Sequence, residues 1–134
     1  MILFLRLLFI VVIASMLGVT SWASMNQSLG DFARSATFRD PWVVATLFDA
    51  YWAFISFYVW VAWKEQALAA RVLWFVAVIL LGNFAMAAYM LRELFAVSAR
   101  APDALQEVFT RRRPGTLLLP GLLTGAAIGV YLLA

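Results

Sequence analysis

Four apolar runs divide this chain, and they decide most of what it can fold into. They cover roughly residues 2–23, 41–63, 72–91 and 115–133. Each comes to about the ~20 residues that a helix needs to cross a hydrocarbon core ~30 Å thick. The segments between them are short, and 134 residues leave no length for a second domain. The expected architecture is therefore all-α, an integral membrane four-helix bundle with short loops, filling 1–134 as one domain. Composition agrees: 66% of the residues are hydrophobic and mean hydropathy is +0.94, where a soluble domain is about 45–50% apolar.

The second run opens with Asp40-Pro41, an N-cap residue followed by Pro at the first helical position. The first run has a rival reading, because Ser21-Trp22-Ala23 ahead of Ser24 carries the small residues of a signal-peptidase site. Only Arg6 precedes it as positive charge, and the apolar stretch exceeds the ~7–15 residues of a signal core, so a retained first helix is expected. Orientation follows from loop charge. Connectors 24–40 and 92–114 hold Arg34, Arg39, Arg92, Arg100 and Arg111 to Arg113, against Arg6, Lys64 and Arg71 on the opposite side. The positive-inside rule then places both connectors in the cytoplasm, at a bacterial inner membrane, with both termini outside. In the third connector, residues 102–112 can form a short helix with Leu105, Val108 and Phe109 on one face. That pattern suits the membrane surface, with Arg111 to Arg113 near anionic headgroups, although ordinary positive-inside charge explains the same arginines.

What is missing narrows the chemistry. The chain has no Cys and no His, which excludes disulfides, thiolate-bound metal and a haem held by His of this chain. A pigment or a lipid stays open as a ligand. The net charge of +3 resides in loops, with no basic–aromatic surface for nucleic acid.

Asp49 breaks the second run. An ionisable residue at membrane depth must pair, protonate, face water or bind something, and so marks a functional site by default. It lies about 12 Å from the start of its helix at 1.5 Å per residue. Asn83 falls roughly 14 Å from the same side, Thr124 about 13 Å into the last helix, and Ser15 within about a turn of that level. The candidate intramembrane site is thus a polar layer of Asp49, Asn83, Tyr51, Ser56 and Thr124, with a protonated Asp49 donating to Asn83. Ala45, Asp49, Ala53 and Ser56 share one helix face, and Tyr51 lies on a different side. Interhelical hydrogen bonding is the plainer role for Ser, Thr and Asn. Gly121, Gly125 and Gly129 recur every four residues, a small-residue stripe that lets helices approach closely. Trp42, Trp60, Trp63 and Trp74 are expected as interface anchors, with Lys64 snorkelling beside Glu65 at the end of the second helix. No catalytic or metal-binding set stands out.

From residue 39 onward the order is Arg39-Asp40-Pro41-Trp42, then Asp49 and Tyr51, then Trp60-Val61-Ala62-Trp63-Lys64-Glu65, then Leu73-Trp74, Gly82, Tyr89 and Ala101-Pro102-Asp103. Over about Arg39 to Arg112 the chain resembles a family of small integral membrane proteins of unknown function from bacteria and plants. That family's hallmark is Trp, Asp-x-Tyr and Trp-Val-Ala-Tyr/Trp-Lys-Glu on one hairpin; Trp63 stands where Tyr is frequent. The resemblance implies a membrane hairpin and supplies no activity.

The expected function is a small non-catalytic membrane subunit or assembly protein, packed against other membrane chains or its own copies. A small proton-coupled transporter centred on Asp49, and an enzyme acting on a lipid or isoprenoid with Asp49 as general acid, are the alternatives.

Overall fold

The computed structural model describes residues 1–134 as an all-α chain with no strand. The helices are α1 (Ile2–Asn26), α2 (Leu29–Arg34), α3 (Pro41–Lys64), α4 (Leu68–Leu81), α5 (Asn83–Phe95), α6 (Ala104–Thr110) and α7 (Leu118–Leu133), with a 3-10 turn at Thr37–Arg39 ahead of α3. Two of them, α1 and α3, are long and apolar enough to cross a membrane, whereas α4 and α7 are apolar but shorter. The start of α3 is set locally. The Asp40 carboxylate accepts from Trp42 N at 2.9 Å, and Pro41 needs no partner for the N–H it lacks. From there 24 residues run about 36 Å without interruption.

The third apolar run, expected as one span over residues 72–91, is two helices folded back on each other. Gly82 has φ +52° and ψ −120°, a backbone conformation that residues with a Cβ rarely adopt. The Phe54 ring fills the space beside it: a Cβ on Gly82 would stand 2.6 Å from Phe54 Cζ. The reversal is plain from Trp74 and Tyr89, whose ring centroids are 4.8 Å apart. In a straight helix fifteen residues would separate them by about 22 Å. The sequence hides this turn because both arms are buried on similar apolar neighbours, so hydropathy continues through it. Each arm is only about 20 Å long. The hairpin therefore ends near Phe54, part-way down α3.

That extra reversal changes which ends meet. Arg113 N donates to Lys64 O at 2.8 Å and Gln66 N to Arg113 O at 2.9 Å, so the third connector lies at the C-terminal end of α3. The first connector leads into Pro41, at the other end. Connectors 24–40 and 92–114, expected on one side, are thus at opposite ends of the molecule. The termini separate as well. Ile2 and Arg6 pack against the end of α5, whereas Ala134 O is 3.1 Å from where a Gly30 Cβ would sit, beside α2.

Packing concentrates at the Lys64 end. Val61, Trp74, Ala77, Val78, Ala85 and Tyr89 form one core between α3 and the hairpin. Ile2, Met90, Leu94, Val97, Ala104 and Val108 form a second beneath α6. Arg6 fastens α1 there, donating to Leu94 O at 2.8 Å and to Val97 O at 2.9 Å, two carbonyls left open at and just beyond the α5 C-terminus. Helix α7 lies along α4 through Pro120, Thr124 and Ala127, spaced to share one face, with Thr124 Oγ1 donating to Leu73 O at 3.1 Å. The glycine stripe faces elsewhere: a Cβ at Gly121, Gly125 or Gly129 would meet nothing within 4 Å. Short helix α6 covers the Lys64 end, with Val108 turned in and Leu105 and Phe109 left exposed.

Candidate functional site

The expected polar layer does not assemble. Asp49 and Asn83 are both exposed, and no hydrogen bond joins them. Asn83 is the first residue of α5, at the hairpin tip, and Gly82 is what carries it away from the helix axis that the depth estimate assumed. Ser56 and Ser15 donate within their own helices, to Trp52 O at 2.8 Å and Val12 O at 3.0 Å. Thr124 does reach another helix, and Tyr51 stacks edge-on against Phe54 at 5.4 Å. Asp49 is left with no partner from its own chain, on the face of α3 turned away from the hairpin.

The charge network lies about 22 Å further along α3. Lys64 and Glu65 are wholly buried, as is Trp74. The expectation of Lys64 and Trp74 as interface anchors is therefore corrected: α6 and the residues around Arg113 close the helix end over Lys64, and the hairpin folds Tyr89 and Arg92 of α5 against Trp74. Lys64 Nζ donates to Glu93 Oε2 at 2.5 Å and to Val108 O. Glu93 Oε1 accepts from Arg92 Nη2 at 2.9 Å and Arg113 Nε at 3.0 Å. Glu65 Oε1 accepts from Tyr89 OH at 3.0 Å and from Arg92 Nη2. Its backbone carbonyl accepts from Arg71 Nε at 2.7 Å. Aromatic faces complete the shell: Lys64 Nζ stands 4.9 Å over Trp60, and the Arg92 guanidinium 4.5 Å over Tyr89 and 5.3 Å over Trp74. Trp60 Nε1 donates to Phe109 O at 3.0 Å. Trp42 and Trp63 stay exposed, the latter under the Arg112 guanidinium at 5.5 Å.

Burial alone would push the Glu93 carboxyl up. The hydrogen-bonded Lys64 ammonium, then Arg92 and Arg113, reverse that and hold its pKa below the ordinary carboxylate value. Three cations surround two carboxylates, so the cluster keeps one net positive charge. Glu65 Oε2, Trp74 Nε1, Arg92 Nη1 and Arg113 Nη2 are buried without a partner from the chain. The arrangement clamps four pieces of chain: the α3 end, α5, α6 and the segment at Arg113. A buried pair adds little net stability relative to an apolar core, but removing one partner strands the others and costs about 3–5 kcal/mol. No three carboxylates, His or Cys converge to hold a metal ion.

The Trp60-Val61-Ala62-Trp63-Lys64-Glu65 run is what builds this clamp. Its spacing is the signal that sequence reasoning underused: Trp60 and Lys64 are one turn apart, with Glu65 next to them and Glu93 available on a later helix. Compared with known families, residues 1–112 match the model of a protein of unknown function, DUF1475. The chain belongs to that family. The match takes in α1 as well as the α3–α5 region, and so covers the helix that Arg6 pins to α5. It stops before Arg113 and α7. No curated protein and no solved structure matches the chain.

Proposed function

We propose that this protein is a non-catalytic integral membrane component that assembles with other membrane chains through the outer face of α3. One observation carries the reading: Asp49 is exposed, unpaired and about 12 Å inside a long apolar helix. A carboxylate facing hydrocarbon at that depth costs about 2.5–3.5 kcal/mol on insertion scales, so a covering chain is favoured there. The outward glycines of α7 offer a second face on which helices can meet closely. The transporter and lipid-enzyme readings lose support, because Asp49, Tyr51 and Asn83 do not converge on an enclosed space.

In this reading α1, α3 and α7 cross the bilayer while α4 and α5 enter and return. Charge supports an orientation. Arg6, Lys64, Arg71, Arg92, Arg100 and Arg111 to Arg113 gather at one end, leaving only Arg34 and Arg39 at the other. The Lys64 end then faces the cytoplasm, or its equivalent, with the N-terminus, and the 24–40 connector and the C-terminus face out. Purification of the full chain in a mild detergent tests assembly: it is expected to elute with further protein subunits or copies of itself, and a lone monomer refutes the reading. Protease accessibility of tags at Met1 and Ala134 in sealed membranes tests orientation, with opposite protection expected for the two.

A further inference from the structure

Toward the Pro41 end of α3, a cavity of about 490 Å³ lies between α2, α3 and the last turns of α7. Its roof is built by local chemistry. Ser28 Oγ accepts from Asp31 N at 3.1 Å and caps α2, and Ser35 Oγ accepts from Phe38 N at 3.3 Å. The Phe32 and Phe38 rings then meet edge-on at 5.5 Å on the cavity wall. The volume falls within the ~300–1,000 Å³ of small-molecule sites. Leu47 and Tyr51 also line an adjoining apolar groove of about 440 Å³, which follows α3 past Phe48 and Trp52 to Ile55.

The lining selects the occupant. Asp31, Arg34, Arg39 and Asp40 belong to the segment that roofs the cavity, yet all four are exposed and none lines it. A charged head would therefore enter with no counter-charge, which an apolar wall penalises heavily. The polar side-chain groups on the wall are two phenols, those of Tyr51 and Tyr131. Tyr131 OH already donates to Leu80 O at 2.8 Å. Tyr51 rests edge-on against Phe54 at 5.4 Å, and its hydroxyl has no partner in the chain. What remains to be satisfied is one O–H donor, which suits the carbonyl oxygen of an uncharged ligand. Tyr51 stands ~15 Å along α3, at mid-membrane depth in the proposed placement, where lipid-soluble molecules are the available ligands. A partner helix fits poorly: one turn, ~10–12 Å across and ~5.4 Å long, already equals the cavity in volume. We infer that the cavity and the groove form one binding site for a single neutral lipid, with a carbonyl-bearing head held under α2 by the Tyr51 hydroxyl and a hydrocarbon tail lying along Leu47–Ile55. This rests on the membrane placement proposed above and not on assembly with other chains.

The full chain in mild detergent gives the test, with two uncharged probes. One is a short-tailed quinone, whose carbonyls sit on a ring; the other is monooleoylglycerol, whose carbonyl sits in an acyl ester. Calorimetry is expected to show saturable binding at a single site per chain, and the tighter probe tells a prenyl source from an acyl one. Tyr51→Phe is expected to weaken binding about tenfold, the effect of leaving a buried carbonyl without its donor. Leu47→Trp, which puts a ring between cavity and groove, is expected to abolish it. Arg34→Ala and Arg39→Ala are expected to change nothing. Ionised oleate is expected not to bind, and oleate binding as tightly as the neutral probes overturns the uncharged head. Binding of neither probe, or binding that Tyr51→Phe and Leu47→Trp both leave unchanged, overturns the site. Far-ultraviolet circular dichroism and melting temperature separate lost binding from lost folding, and Tyr51→Phe keeps the ring that packs on Phe54. A lone monomer that binds refutes the assembly reading alone, and an assembled complex that binds neither probe refutes the site alone.

Discussion

Helix α3 carries charge in two places, and they are treated in opposite ways. At its C-terminal end Lys64 and Glu65 are wholly buried: Lys64 Nζ is bound by Glu93 and Val108 O and Glu65 Oε1 by Tyr89 and Arg92, with only Glu65 Oε2 left without a partner. Two-thirds of the way back, Asp49 is exposed and bound by nothing of its own chain. The difference separates a device that closes one fold from a group that needs something beyond it. A buried charge satisfied internally is a cost the chain has already met. One left open in an apolar helix has to protonate, face water or find a partner beyond the chain.

The comparison breaks first at Glu93, which balances Lys64, Arg92 and Arg113 together. Glu93→Ala is expected to destabilise the fold by about 3–5 kcal/mol, read as a large drop in the detergent melting temperature, whereas a small drop would mean that the cluster is solvated and does not clamp. Next is the hairpin that brings Glu93 into place. Gly82→Ala puts a Cβ into both a disfavoured backbone region and the Phe54 ring, and is expected to cost about 2–3 kcal/mol. Adding Phe54→Ala should recover the steric part alone, so a double variant no better than Gly82→Ala would remove Phe54 from the account.

Acid gives a subtler contrast. The Glu93 pKa is depressed, so its contribution is complete above the ordinary carboxylate pKa of about 4.3 and is lost as pH falls through the lower folded value. Melting temperature is expected to hold level near neutrality and decline below about pH 4, and Glu93→Gln should flatten that decline. The smallest effect belongs to the other site. Asp49→Asn is expected to change the stability of the isolated chain by less than about 0.5 kcal/mol. A loss comparable to Glu93→Ala would show that Asp49 is bound inside the fold after all.

The sequence disclosed the helical class, the capped start at Asp40-Pro41 and the singularity of Asp49, because length, capping chemistry and charge are local properties. The fold-back at Gly82 stayed hidden: a single glycine inside an apolar run is compatible with a straight helix, and only Phe54, 28 positions earlier in the chain, decides otherwise. The polar layer failed for the same reason, since its depth estimate took residues 72–91 as one rod. Lys64 and Glu65 looked like a helix stop because their neighbours Glu93 and Arg113 are distant in sequence and reach them only once the hairpin has turned.

The hairpin also gives the molecule a shape. On the Lys64 side five helices stand together, α1, α3, α4, α5 and α7, roofed by α6. Beyond Gly82 the two arms of the hairpin are gone, and little α2 sits beneath the end of α7, next to a cavity of about 490 Å³ lined by Phe32, Phe38, Leu47 and Tyr131. The body is thus a wedge, broad at one end and narrow at the other. In a bilayer such a wedge displaces more area from one leaflet than from the other. If the body sits in a bilayer as proposed, that asymmetry would make its energy depend on local curvature.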